Sequence, residues 1–160
     1  MNATHHPTTI NAQPGTPFID IERDFDATPA QVFRAYTDPK LIVQWLGPRR
    51  LAMELLEFDP RPGGQYRYVH HGEGIEARFH GVYHTVTPDE RIIQTFEFEG
   101  APGEVCLEST KFESHDGRTR VVTHSVFPSV EARDAALASG MSYGINESHE
   151  RLDEIDWDAV

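Results

Sequence analysis

The chain has 160 residues, of which 38% are hydrophobic, and this is enough for one domain with a single core. Its 26 acidic residues outnumber its 14 basic ones, and the net charge of −12 excludes general binding to nucleic-acid phosphates. A single cysteine excludes an internal disulfide framework and a cysteine-based zinc site. No apolar stretch reaches the roughly 18 residues of a membrane span. We therefore expect a cytoplasmic protein without a metal ion or a cofactor.

The amino-terminal segment is polar and lacks apolar periodicity. Residues 1–16 are rich in Thr, Asn, Pro and Gly and are predicted to form a flexible tail, in which His5 and His6 are solvated. The domain itself is expected to span residues 17–157. Its first element is a strand near Phe18–Phe25, where apolar residues alternate with polar ones.

Two short helices are predicted after this strand. Thr28 precedes Pro29 and Asp38 precedes Pro39, and a capping residue followed by proline is typical of a helix start. Apolar residues at helical spacing follow both starts, and Gly47-Pro48 ends the second helix.

Between residues 50 and 128 the apolar pattern changes to alternation, which is typical of strands. Short turn sequences divide this region into about six consecutive antiparallel strands, for which a meander is the simplest topology. The face to which each side chain points stays open in residues 104–127, because neither strand there alternates cleanly. The turns are expected at Arg61–Gly64, Gly72–Gly74, Pro88-Asp89, Gly100–Gly103 and His115–Gly117.

The carboxy-terminal region, from residue 130 to about 156, contains no proline and has apolar residues at helical spacing. We predict one long amphipathic helix there, with Ser129 as its capping residue. Gly140, Gly144 and Ser148 are four residues apart and would form a stripe of small side chains on it. Such a stripe serves close packing on the sheet, room for a bound molecule or a subunit contact, and the sequence does not choose among these.

Six aromatic residues are expected on one face of the sheet, and a helix must cover them to avoid a large exposed apolar patch. They form either a packed core or the wall of a partly open pocket. These residues are Tyr66, Tyr68, Phe79, Tyr83, Phe96 and Phe98.

Signatures of catalysis are weak. The chain has no glycine-rich phosphate loop and no GxSxG motif, and Cys106 is expected to be an inert thiol. His80 and His84 lie about 13 Å apart on a strand, too far for one metal ion. His70 and His124 are the candidates for acid–base chemistry, although a structural role is the simpler interpretation of each.

Taken in order, these segments resemble the helix-grip domains of the START superfamily, and within it the branch related to the activator of heat-shock protein 90 ATPase. The resemblance covers roughly residues 18–156 and implies an α+β fold in which a curved antiparallel sheet grips the terminal helix around a cavity. It rests on Phe25–Pro39, Trp45, Arg61–Gly64, Gly81–Tyr83, Pro88–Ile92, His115–Thr119 and Pro128–Met141.

The resulting hypothesis is that the chain binds a small hydrophobic molecule, lipid-like or aromatic, between the sheet and the terminal helix. A cavity enzyme of cyclase or hydrolase type, as found among relatives in the superfamily, and a chaperone-associated protein-binding module remain alternatives. A homodimer is compatible with the sequence, and no residue decides it. The expected binding residues are Trp45, Tyr66, Tyr68, His70, Phe79, Tyr83, Phe96, Phe98, Met141, Gly144 and Ile145.

Overall fold

A computed structural model describes residues 6–160, so the first part of the predicted tail, with His5, lies outside the described residues. Within residues 6–160 the fold is α+β, as predicted, with eight antiparallel strands in one sheet and four α-helices. The strands are β1 (Thr9–Asn11), β2 (Phe18–Phe25), β3 (Ala52–Phe58), β4 (Gln65–Gly72), β5 (Ile75–Thr87), β6 (Arg91–Phe98), β7 (Cys106–His115) and β8 (Arg118–Val126). The helices are α1 (Pro29–Thr37), α2 (Pro39–Trp45), α3 (Val130–Ala138) and α4 (Met141–Asp153).

The strand order in the sheet is β1-β2-β8-β7-β6-β5-β4-β3. Strands β3 to β8 are neighbours in chain order, which confirms the predicted six-stranded meander, and β2 closes it by pairing with β8. None of the helices in the described part of the chain is long and apolar enough to cross a membrane.

The amino-terminal segment is more ordered than its composition suggested. Residues Thr9–Asn11 form β1, which pairs with β2 at the edge of the sheet. Just before it, the Thr8 hydroxyl lies 2.8 Å from Nδ1 of His149 on α4. From His6 onward the predicted flexible tail is therefore wrong, because backbone pairing at a sheet edge needs no apolar periodicity.

The two short helices begin where the sequence predicts. The Thr28 side chain accepts from the Gln31 amide, and the Gln31 side chain accepts from the Thr28 amide, which completes a capping box at α1. Asp38 caps α2 through the Lys40 amide. Trp45, the last residue of α2, lies in the core, where the indole nitrogen of Trp45 donates to the Ala35 carbonyl at 2.9 Å.

The predicted single carboxy-terminal helix is wrong in one respect, because it is broken into α3 and α4. Gly140 separates them with φ of 86°, a left-handed conformation that glycine adopts without steric strain. The predicted stripe of Gly140, Gly144 and Ser148 on one helix therefore does not form, since Gly140 precedes α4. After α4, Trp157 and Val160 pack on the core, so the domain extends beyond the predicted end at residue 157.

Residues of α1, α2 and α4 share one buried core with residues of the strands, and we call the strand surface that faces this core the inner face. The register resolves the two strands whose side-chain directions were left open. On β7 the side chains of Cys106, Glu108, Thr110 and Phe112 share the inner face, and Glu108 is paired with Ser125 of β8. His124 alternates with Ser125 and therefore lies on the outer face.

Candidate functional site

The predicted aromatic residues meet on the inner face, where they form a continuous surface over three strands. The ring of Phe79 on β5 lies 5.2 Å from Tyr68 on β4 and 5.3 Å from Phe96 on β6. Tyr66 stands beside Tyr83 with ring centroids 5.2 Å apart. We call these five residues the aromatic wall. Their spacing is that of favourable ring contacts, so the wall is a stable apolar surface.

Phe98 extends the wall to its edge. Its ring centroid is 5.3 Å from that of Phe79, and its side chain remains 42% exposed. A β-carbon at Gly100 would lie 2.4 Å from the Phe98 ring, so the turn after β6 approaches this ring closely only because residue 100 is glycine. Phe98 thus marks an open border of the wall.

His70 lies beside the wall and fastens the loop that follows α2. Its ring is 5.1 Å from that of Tyr68, and Nε2 lies 3.2 Å from the Leu46 carbonyl oxygen. Burial lowers the pKa of His70, so the imidazole is neutral near pH 7 and Nε2 donates its proton to that carbonyl. A β-carbon at Gly47 would lie 2.6 Å from Nε2, so Gly47 allows this contact. His70 therefore has a structural partner already.

The same loop is tied to α4. The Gly47 amide donates to the Ser148 hydroxyl at 2.8 Å, and Arg151 donates to the Gly47 carbonyl at 2.9 Å. Gly144 lies one turn before Ser148 on this flank of the helix. A β-carbon at Gly144 would have no heavy atom within 4 Å beyond its own helix backbone and chain neighbours. Close packing on the strands, one of the roles considered for Gly144, is therefore wrong.

The first half of α4 contacts less of the interior than the second half. Leu152 near the end of α4, and Ile155 just after it, belong to the buried apolar core, together with Phe25, Phe33 and Phe112. Met141 and Ile145 are only half-buried, and they do not belong to the core cluster that the described residues form.

Trp45, the remaining predicted binding residue, is placed in the core. Its ring packs on Tyr36 at a centroid distance of 4.7 Å, and its side chain is almost fully buried. Trp45 supports α1 and α2. Among the described residues, its ring forms no ring pair with the aromatic wall.

Glu108 is a polar inner-face residue that the sequence analysis missed. It lies on β7, a central strand, where it is paired with Gln94 of β6 and Ser125 of β8. Its strand places two polar residues, Glu108 and Thr110, between inward-facing Cys106 and Phe112, which obscures the alternation. An acidic residue in the middle of a predicted strand was the available signal.

The surroundings of Glu108 disfavour its charge. The hydroxyl of Ser125 lies 3.5 Å from Oε2, and no ion pair to Glu108 forms among residues 6–160. Burial raises the pKa of the Glu108 carboxyl to about 7. The carboxyl in turn contributes to raising the pKa of Tyr36, Tyr66 and Tyr68, after the larger effect of burial on each. The strand register places Tyr66 and Tyr68 on the same inner face as Glu108.

Two tyrosine hydroxyls on the inner face remain accessible to water. Tyr68 and Tyr83 are 5% and 3% exposed, and their hydroxyls form no hydrogen bond with another described residue. Among the described residues, only two side-chain polar atoms are both fully enclosed and without a hydrogen-bond partner, namely Nε of Arg23 and Nε of Arg118. The hydroxyls of Tyr68 and Tyr83 are not among them, so they are not fully enclosed. The two tyrosine hydroxyls are therefore reached by a water-sized molecule. A packed interior would have left them unsatisfied at a cost of about 1–3 kcal/mol each.

The other candidates for chemistry lie outside this site. His124 is bonded to Asp20 on the outer face at 2.6 Å, so His70 and His124 point to opposite sides of the sheet. His80 contacts Glu97 and Glu99, also away from the aromatic wall. Burial raises the pKa of the Cys106 thiol to about 12, which disfavours the nucleophilic thiolate near neutral pH.

Two open surface depressions are distinct from the inner face. One lies where the turn between β5 and β6 meets β7, beside Glu90 and Lys111. The other lies between β1, β2 and β8, beside His6 and Arg120. Neither contains a residue of the aromatic wall, so the candidate site is assigned from the contacts on the inner face.

Comparison with known proteins places this geometry in a family. The model for the family "Activator of Hsp90 ATPase homolog 1-like protein" matches residues 26–155. A crystal structure of a Rhodobacter sphaeroides protein is 30% identical with a TM-score of 0.84, covering 92% of this chain and 96% of that one. No curated protein is significantly similar to the chain.

Two further solved structures share the fold. A Mycobacterium smegmatis protein is 23% identical with a TM-score of 0.85, and the alignment covers 92% of this chain and 96% of that one. An Arthrobacter aurescens protein is 25% identical with a TM-score of 0.83, and the alignment covers 91% of this chain and 88% of that one.

Proposed function

The chain belongs to the family of Activator of Hsp90 ATPase homolog 1-like proteins, and from that premise we propose that it binds one small, largely apolar molecule. The molecule lies between the aromatic wall on the inner face and the first half of α4. We assign no reaction to the site.

The observation that carries the proposal is the pair of Tyr68 and Tyr83 hydroxyls, which are accessible to water and have no hydrogen-bond partner among the described residues. Ligand pockets combine an apolar lining with a few convergent polar groups, and the wall with these hydroxyls has that composition. Met141 and Ile145, in the first half of α4, stand outside the core cluster. The site therefore has an apolar floor, polar groups at defined positions and a helix that does not pack down on it.

Binding would be driven by removal of apolar surface from water. A two-ring aromatic molecule that buries about 200 Å² of apolar surface gains about 5 kcal/mol at about 25 cal/mol per Å². Ring contacts with Phe79 and Phe96 add to this gain. The costs of association reduce it, so we expect micromolar to millimolar affinity for an unoptimised probe.

The first test is native mass spectrometry of the full chain purified from its own host. We expect a mass increment of a small molecule that disappears after denaturation. A retained compound that is converted during incubation would favour the cavity enzyme, and its unchanged release would favour the binding protein.

The second test uses N-phenyl-1-naphthylamine, whose fluorescence rises in apolar surroundings, as a probe. Saturable binding is expected for the unaltered chain. We expect Ile145→Trp to weaken it about tenfold or more by filling the space under α4. Asn146→Trp, one position along on the exposed side of the same helix, is the matched control and should bind normally. Equal binding by both variants, or none by the unaltered chain, would contradict the proposed site.

A further inference from the structure

Glu108 is the charged group of the inner face that the proposed site leaves without a counterion. Arg23 reaches the same interior from β2, but it binds both oxygens of Asp153 at 2.5 and 2.7 Å. From α4, His149 is bonded to Thr8, and burial lowers its pKa to about 4, so it is neutral near pH 7. His70 on β4 is likewise neutral and donates to Leu46.

The remaining groups around Glu108 are uncharged. Gln94 and Ser125 flank it on the neighbouring strands, and Cys106 shares its strand. Tyr36 from α1 and the tyrosines of β4 approach it with hydroxyls whose pKa is raised by burial, so all remain protonated at neutral pH. Among residues 6–160, the Glu108 carboxyl is therefore surrounded by neutral groups and has no partner for its negative charge.

Carboxylate and aromatic rings together are the surroundings that a protein offers to an ammonium group. The carboxylate supplies charge-assisted hydrogen bonds. The faces of tyrosine and phenylalanine rings attract a cation through their quadrupoles, and more so where water is excluded. An alcohol could donate one hydrogen bond to the carboxylate but has no positive charge for the ion pair or the ring faces, and an ionised acid would be repelled.

On this geometry, and resting on the proposed function, we propose that the molecule bound under α4 carries a basic amine. Its ammonium group bonds to the Glu108 carboxylate, and its apolar part lies on the aromatic wall. The formal net charge of −12 favours the approach of cations over anions. When the ammonium binds, any proton held by Glu108 leaves to solvent.

The test uses three probes of nearly equal shape: 2-(1-naphthyl)ethylamine, 2-(1-naphthyl)ethanol and 1-naphthaleneacetate. Isothermal titration at pH 8 should show the amine binding about tenfold or more tightly than the alcohol, and the acetate more weakly than both. In Glu108→Gln the amine should fall to the affinity of the alcohol, while the alcohol is unchanged. Glu113→Gln is the matched control, on the exposed outer face of the same strand, and should keep the preference for the amine.

The unaltered chain provides a measurement that needs no variant. Burial holds the pKa of Glu108 at about 7, whereas an alkyl amine stays protonated from pH 6 to 8. The amine should therefore bind about tenfold more weakly at pH 6 than at pH 8, with the alcohol unaffected.

The outcomes separate the two proposals. Equal affinity for the amine and the alcohol, a preference that survives in Glu108→Gln, or an amine affinity independent of pH overturns the role of Glu108 and leaves the apolar site standing. If none of the three probes, nor N-phenyl-1-naphthylamine, binds at millimolar concentration, the proposed function fails and the amine hypothesis fails with it.

Discussion

The two ends of the inner face differ in how they are filled. Under α1 and the end of α4, Phe25, Val32 and Leu152 are completely buried, and the core is apolar. At the start of α4, Ile145 is half-buried and lies outside the core cluster, and the inner face also carries Glu108 and tyrosine hydroxyls. The comparison teaches that one helix can both hold a fold together and leave space, because its two halves contact the interior differently.

The largest expected effect tests this difference by truncation. Leu152→Ala should destabilise the protein by about 3 kcal/mol or more, because it leaves a cavity in a packed region. Ile145→Ala, in the other half of the same helix, should cost less than about 1 kcal/mol. Urea denaturation of both variants measures the two values. Similar losses would show that both halves of α4 are packed alike.

A second effect is that Glu108 and His149 contribute to the free energy of unfolding with opposite dependence on pH. Glu108 has a raised pKa of about 7, so the folded state holds a proton that the unfolded chain releases above about 4.5. Its contribution to stability therefore falls as pH rises from about 4.5 through 7. His149 has a lowered pKa of about 4, so the unfolded chain takes up a proton below about 6.5. Its contribution falls as pH drops from 6.5 through 4.

Because these contributions oppose each other between about pH 4.5 and 6.5, they largely cancel there in the unaltered chain. Glu108→Gln should reveal a stability that rises by about 2–3 kcal/mol over this interval, since only His149 then acts. His149→Gln should reveal a fall of similar size. Chemical denaturation at a series of pH values measures both. Parallel profiles for the two variants would contradict the assignment.

The smallest effect concerns the two glycines at the start of α4. Gly140 has φ of 86°, so Gly140→Ala should destabilise the protein by about 1 kcal/mol. Gly144 lies within the helix with open space around its α-carbon, so Gly144→Ala should stabilise it by about 0.5–1 kcal/mol. Thermal unfolding distinguishes opposite shifts. A loss of stability in both variants would mean that Gly144 is packed after all.

Much of the architecture follows from local patterns. The alternation in β2 and the turns between the later strands predict the meander that the structure confirms, and the capping residues place the starts of α1 and α2. The aromatic residues of β4, β5 and β6 were assigned to one face, and the register unites them there. These features depend on residues that are close together in the sequence, so periodicity and turn residues were sufficient to predict them.

Other features depended on contacts between distant segments. Strand β1 forms because its backbone pairs with the edge of β2, and its own side chains show no pattern that predicts a strand. The break at Gly140 replaced a predicted continuous helix, since helical periodicity on both sides does not reveal a left-handed residue between them.

The amino-acid sequence by itself determined the order of the elements and which aromatic residues share a face, because each depends on short-range periodicity. Only the tertiary structure decided that Glu108 points inward and pairs with no cationic side chain of the described residues. A side chain's direction on an irregular strand is fixed by pairing with β6 and β8. Its electrostatic environment is set by residues far away in the chain, and no local pattern encodes that.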